Sequence, residues 1–359
     1  MENPQKRIAG ESQLPEEIIQ HIQSLLHEEE EAARTSLLSK SWHGAWCTRP
    51  NLSFDQYMFW NRVDEFPVFT KKTMRRYEDL NLKIKSFRLT MMEEYEDHSL
   101  ARELILKAIE LGATDLTIEI PSLDGIVLES ETLARLSVFG SIARPLHFDV
   151  GAITKLHKLE YLRLEGLDIK HSLSKNELWP QFRCLKDLVI VDYNSDYDWD
   201  DVRICSPSLE RVIILFHECR NVSAEFDVPN IRYFKFEGHE MPRLKFKAIG
   251  SREWESDIHI RFSPYMASTA WLSSLNQFVK MLSSSRVSLF MWWDLLDDGH
   301  ALSMPVVDNL RPEMPFLDAL LWSCRPNFVN VQRRFYGDSE GGSVETIEDG
   351  VILRWCKGS

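Results

Sequence analysis

Residues 159–164 are LEYLRL, and residues 185–190, 26 positions further on, are LKDLVI. Both have the form LxxLxL with a branched apolar residue in the last place. In a short strand, alternation sends the second and third apolar side chains to one face, while the first anchors the turn that enters it. The same spacing recurs outward from this pair. On the N-terminal side it appears as Ile84-Phe87-Leu89, Leu116-Ile118 and Leu133-Leu136-Val138. On the C-terminal side it appears as Leu209-Val212-Ile214 and Ile231-Phe234-Phe236, with weaker echoes at Ile258-Ile260-Phe262, Val287-Leu289 and Leu317-Leu320-Trp322. Counted from the first apolar place, the copies begin at 84, 113, 133, 159, 185, 209 and 231, so the gaps run from 20 to 29 residues. One copy cannot bury its apolar face alone, whereas stacked copies share a continuous core. The pattern therefore predicts an α/β solenoid over 84–336.

A repeat of this length and form resembles the leucine-rich repeat. Such repeats usually carry Asn or Cys three positions after the last Leu, and here Leu167, Tyr193 and His217 stand there. That departure implies an irregular solenoid with variable convex segments of helix and loop. Residues 271–284 (WLSSLNQFVKMLSS) show a helical stripe of Leu272, Leu275, Val279 and Leu282. Near the C-terminus, Asp349-Gly350 between two β-prone runs signals a hairpin, so 337–359 is expected to be a loop and a hairpin capping the open end of the solenoid.

Ahead of the repeats, residues 14–46 read LPEEIIQHIQSLLHEEEEAARTSLLSKSWHGAW. Pro15 suits a helix start, and Glu16 and Glu17 complement the positive helix end. Ile18, Ile22, Leu25 and Leu26 recur at helical spacing, widened by Ile19. A second helical run carries Ala32, Ala33, Leu37 and Leu38, and Ser39 can cap a third helix holding Trp42 and Trp46. Three helices in so short a segment cannot hide all of these apolar residues in one small core. An apolar helical surface then needs a partner's groove.

Leu14-Pro15-Glu16-Glu17, followed at the right distance by Arg34-Thr35-Ser36-Leu37-Leu38-Ser39-Lys40-Ser41-Trp42 and Trp46, resembles an F-box, and the whole chain resembles plant F-box/LRR proteins. The segment 314–327, MPFLDALLWSCRPN, is similar to a stretch found late in such chains. The resemblance implies a flexible tail at 1–13, the F-box at 14–53, a packed linker at 54–83 and the repeats at 84–336. It implies docking onto a Skp-type adaptor, and through it a cullin, by way of Leu14, Pro15, Ile18, Ile22, Leu37, Leu38 and Trp42. The repeats would then hold an unidentified protein for ubiquitination. The chain would be the non-catalytic substrate receptor of a Skp–cullin–F-box ligase in cytoplasm or nucleus. The other reading is a Skp-binding or LRR interaction protein acting outside a ligase.

Composition agrees with an interaction protein. Net charge is −13, which disfavours nucleic acid or an anionic membrane surface as partner. The six cysteines form no CxxC pair, so no structural zinc or disulfide framework is expected. The first 17 residues lack the apolar core of a signal peptide. Asp192, Asn194, Asp196 and Asp198 imitate a calcium loop, but Tyr197 and Arg203 occupy the places where an EF-hand needs Gly and Glu. Gly337-Asp338-Ser339-Glu340-Gly341-Gly342 imitates a serine-protease loop, but nothing marks a partner histidine. No catalytic residue, cofactor or metal is expected. The acidic, aromatic stretch 192–201 offers Tyr193, Tyr197 and Trp199 as anchors for a basic substrate segment.

Overall fold

In the computed structural model of the chain, the described residues are 14–26, 29–92, 98–120, 126–140, 146–168, 179–193, 199–217, 222–238, 242–247, 254–261, 273–275, 277–278, 281–282, 285–294, 328–337 and 344–354. The backbone alone is described from 291 onward. The chain divides into two units, Met1–Ile118 and Glu119–Ser359.

The first unit begins with α1 (Glu16–Ser24), α2 (Glu29–Thr35) and α3 (Lys40–Thr48). The Ile18 and Ile19 amides donate to the Pro15 carbonyl, which starts α1. The Ser39 hydroxyl accepts from the Trp42 amide at 3.4 Å and caps α3 as the sequence predicts. Leu37 and Leu38 are not helical. They lie in tight turns after α2, where their amides donate to Arg34 and Thr35.

Strand β1 (Asn51–Asp55) follows, then a 3-10 turn at Gln56–Phe59, α4 (Glu65–Asp79), β2 (Ser86–Thr90), α5 (His98–Glu110) and β3 (Asp115–Glu119). Their sheet order is β1-β2-β3, with β1 parallel to β2. The sheet thus starts at residue 51, upstream of the first sequence repeat, and β1 crosses the expected end of the box. Helix α4 buries Phe66, Thr70, Thr73, Met74 and Tyr77, a helical stripe in which two threonines take apolar places. The Thr70 hydroxyl donates to the Phe66 carbonyl at 2.9 Å, so its burial leaves no open donor.

The second unit stacks β4 (Arg135–Phe139), β6 (Tyr161–Glu165), β8 (Asp187–Asp192), β10 (Arg211–Phe216), β12 (Tyr233–Gly238), β14 (Trp254–Arg261), β15 (Ser285–Asp294) and β16 (Phe328–Gly337) in one parallel sheet. Strand β17 (Val344–Arg354) closes it antiparallel to β16. The small pair β5 (Leu146–His147) and β7 (Leu167–Asp168) lies apart from this sheet. Three returns are strands rather than helices: β9 (Trp199–Cys205), β11 (Val222–Asp227) and β13 (Arg243–Phe246) form a second parallel sheet.

The repeat register is visible as buried ladders. Leu136, Leu162, Leu188, Val212 and Phe234 pair strand to strand, and Val138, Leu164, Ile190, Ile214, Phe236, Ile258 and Leu289 form the parallel row two residues on. Leu133, Leu159, Leu185, Leu209 and Ile231 anchor the turns before them, all in the core. In β14 the inward pair is Ser256 and Ile258, two residues earlier than the echo Ile258-Ile260 suggests. Ser256 tolerates burial because its hydroxyl bonds that of Ser285 at 2.6 Å. Between the two sheets the core is aromatic. Phe226, Phe234 and Phe246 pack with ring centroids 5.1 to 5.6 Å apart, and Trp254 lies 5.5 Å from Phe246. Each such pair adds roughly 0.5–1.5 kcal/mol to the burial of its area.

Gly140 and Gly166 mark a close crossing of two turns. The Gly140 amide donates to the Glu165 carbonyl at 2.7 Å, and a Cβ on Gly140 would stand 2.1 Å from the Gly166 oxygen. Gly166 itself has φ +62°. Asp349-Gly350 does not turn a hairpin. It lies within β17, where the pairing to β16 slips between Val331 and Arg333, so the dipeptide is absorbed as a bulge. Residues 273–275, 277–278 and 281 are helical, with Leu275 and Phe278 buried and Leu282 buried just beyond them. The echo at 317–322, the segment 314–327 and the Ser339 loop lie outside the described residues.

Candidate protein-interaction surfaces

The box has an inverted distribution of side chains. Inside lie Ile19, Ala32, Ala45 and the amide of Gln23. Gln23 sits where the three helices meet, donating to the Thr35 hydroxyl at 2.9 Å and the Trp42 carbonyl at 3.3 Å. Gln20 donates to the Thr48 hydroxyl at 3.1 Å, which in turn donates to Glu16, so α1 and α3 are also pinned by polar contacts. The large apolar residues lie outside: Leu14 is 43 % exposed, Ile18 46 %, Leu25 63 %, Leu37 84 % and Leu38 67 %. Pro15 is exposed, and Ile22 and Trp42 are half-buried.

All seven residues that the F-box resemblance picks out therefore keep accessible surface, and Leu25 joins them. Helical phase explains the split in α1. Ile19 and Gln23, four apart, face the other helices, which turns Ile18 and Leu25 outward. The outward leucines at 37 and 38 escape burial because α2 has already ended. Isolated domains seldom expose so many branched residues together, and covering one fully is worth roughly 1.5–3 kcal/mol. The surface fits an apolar groove in a partner, not a small molecule or an ion.

In the repeats, the predicted anchors separate. Trp199 is buried, 4.8 Å from the Phe216 ring, and its indole N–H donates to Asp192 at 2.6 Å. It is a core residue of the second sheet, which corrects its reading as a substrate anchor. Asp192 is buried with it, so this carboxylate is committed as well. Tyr197 lies outside the described residues. Tyr193 is half-buried, stacked on His217 at 4.7 Å, and its hydroxyl donates to Glu165 at 2.5 Å. Burial, and then the Glu165 carboxylate, push its phenol up to about 12. Glu165 also accepts from Arg163, whose guanidinium faces the Phe139 ring. Tyr193 thus presents one ring face on a fixed network, and sequence alone could not show that its hydroxyl is already engaged.

Further along the same sheet, Tyr233 donates to Asp257 at 3.3 Å and His259 contacts that carboxylate at 3.1 Å. Burial pushes Asp257 up, but the His259, Lys235 and Tyr233 contacts outweigh it and leave the carboxyl below its ordinary range. Among the described residues, no group of three His, Cys, Asp or Glu is placed to hold a metal ion. No helix among them is long and apolar enough to cross a membrane.

No family model matches the chain. Curated plant proteins do. An Arabidopsis thaliana F-box/LRR-repeat protein is 29 % identical over 283 residues, covering 70 % of this chain and 68 % of the relative. Two other F-box/LRR-repeat proteins of that plant are 28 % identical over 235 residues and 26 % identical over 351 residues. They cover 63 % and 88 % of this chain, and 61 % and 70 % of their own lengths. Several other relatives are matched over only about half their length, 48 % in one case. A three-helix box with its leucines outside, a parallel repeat sheet, and similarity over as much as 88 % of its length together make the chain similar, from box to repeats, to plant F-box/LRR-repeat proteins.

Proposed function

We propose that the chain is the substrate-recognition subunit of a Skp–cullin–F-box ubiquitin ligase. The observation that carries this reading is the outward apolar surface, made by Leu14, Ile18, Leu25, Leu37 and Leu38, of a box whose small interior holds Ile19, two alanines and Gln23. The box docks a Skp-type adaptor, which bridges to a cullin. The repeat unit holds the protein to be modified, in cytoplasm or nucleus. In this role the chain is a receptor, and the transfer chemistry belongs to the recruited enzymes. The receptor acts by raising the local concentration of substrate lysines at a recruited conjugating enzyme.

The test is co-expression with a Skp adaptor followed by size-exclusion chromatography. Wild type co-elutes with the adaptor, and a Leu14→Ala/Pro15→Ala variant elutes alone with an unchanged circular dichroism spectrum. Retained adaptor binding in that variant overturns the docking assignment. Adding a cullin to the co-eluting complex then separates a ligase subunit, which captures it, from a Skp-binding protein working elsewhere.

A further inference from the structure

Three turns lead into β8, β10 and β12, and they carry Arg183-Cys184, Pro207-Ser208 and Pro229-Asn230. An open cavity of about 460 Å3 lies among them. Its wall is a row of alternating charge made by the residues that enter successive strands. The Lys186 amide donates to the Glu160 carbonyl at 2.9 Å, Glu210 to Lys186 at 2.9 Å and Arg232 to Glu210 at 2.7 Å. Side chains then pair along the row, Lys186 with Glu160 at 3.0 Å and Arg232 with Glu210 at 3.3 Å. Each carboxylate is thereby taken by one cation. Arg183, from the turn in front, is exposed and has no ion pair among the described residues. The cavity therefore holds one cation more than it has acids, on a chain whose net charge is −13.

We propose that this groove binds a single oxyanion, phosphoryl or carboxylate, carried by an extended polypeptide, with Arg183 and Arg232 as its two guanidinium donors. Guanidinium groups suit this role because their planar donors match both oxyanions in a bidentate way. The groove is open and crosses three stacked turns, so a chain can lie along it, whereas small-molecule sites enclose most of their ligand. Glu160 and Glu210 flank the cations on the cavity wall. A run of acids is therefore repelled, and one anion between basic neighbours is favoured. The inference deepens the repeat-recognition half of the proposed function by naming the chemistry of the bound segment.

The probes are fluorescein-labelled nonapeptides of Gly, Ser and Lys with phosphoserine, glutamate or serine at the centre. Each is titrated against the full chain by fluorescence anisotropy at low and physiological salt. At least one anionic probe binds about tenfold or more tighter than the serine probe, and which one does so distinguishes phosphoryl from carboxylate. Arg183→Ala/Arg232→Ala brings the affinity down to that of the serine probe. In the wild type the better probe also slows iodoacetamide alkylation of Cys184, an exposed free thiol on the cavity wall. Equal binding of all three probes, undiminished binding by the double variant, or unprotected Cys184 each overturns the proposal. Co-elution with the adaptor, measured on the same samples, shows separately whether the box reading holds.

Discussion

The hydroxyl of Tyr77, near the end of α4, donates across 2.6 Å to the backbone carbonyl of Arg49, the residue that ends α3. The ring is buried, and burial pushes the phenol above its ordinary range. Arg49 in turn lies 3.4 Å over the Trp46 ring and donates to the Trp46 carbonyl at 2.8 Å. The box is thus tied to the helix that follows it by a polar contact made inside the core. Tyr77→Phe keeps the packing and removes the donor, so it should lower stability by about 1 kcal/mol. A thermal melt should shift downward while adaptor capture persists. An unchanged melt would mean that this contact carries no stability.

The outward and inward faces of the box should respond in opposite ways. Leu37→Ser/Leu38→Ser removes exposed surface, so the melting transition should move by less than about 0.5 kcal/mol in stability while adaptor binding falls sharply. Ile19→Ala leaves a hole among the three helices and should cost about 2–5 kcal/mol. Parallel measurement of melts and adaptor pull-down checks both. Strong destabilisation by the double serine variant would contradict the outward placement.

Gly140→Ala puts a Cβ against the Gly166 carbonyl, and the obstacle is backbone rather than a movable side chain. The loss expected from such overpacking is about 1–3 kcal/mol, read as a lower urea midpoint. Gly151→Ala, where the Cβ meets only the Asp149 carboxylate, is the milder control.

Alkaline pH should weaken the fold through its tyrosines. Tyr193 and Tyr233 are pushed up to about 12 by burial first and then by Glu165 and Asp257, and Tyr77 is raised by burial. A phenol with a raised folded value stays protonated in the native state after the unfolded chain has ionised. Its contribution is therefore complete below pH about 10 and is lost as pH climbs toward 12. Urea titrations at pH 9, 10 and 11 should show a steeper decline for wild type than for Tyr193→Phe/Tyr233→Phe.

Trp199→Phe keeps a ring beside Phe216 but deprives the buried Asp192 of its indole donor. The cost should be about 1–3 kcal/mol, with binding at the Arg183 groove unaffected. A stability unchanged from wild type would reopen Trp199 as a surface residue.

The repeat register was legible because it depends on local alternation. Every turn anchor from Leu133 to Ile231 is in the core, and each strand begins two residues later. Helix α4 was not legible, because Thr70 and Thr73 look polar until their environment is known. The return strands β9, β11 and β13 were missed for a related reason. Their alternation is short, and their pairing partners lie about 20 residues away in sequence. Asp349-Gly350 misled because the same dipeptide serves a hairpin or a bulge, and the neighbouring strand decides which.

By itself the sequence determined which residues repeat, how far apart they lie, and that a short helical box precedes them with more apolar side chains than it can bury. Those are properties of period and composition, and they hold whatever the chain packs against. Only the tertiary structure decided which of those side chains are left outside. Ile19 rather than Ile18 turns inward because two other helices approach from that side, and Leu37 and Leu38 stay out because α2 ends before them. It also decided that Trp199 is core and that Arg183 is an exposed cation with no ion pair among the described residues, since burial and pairing depend on neighbours from other turns.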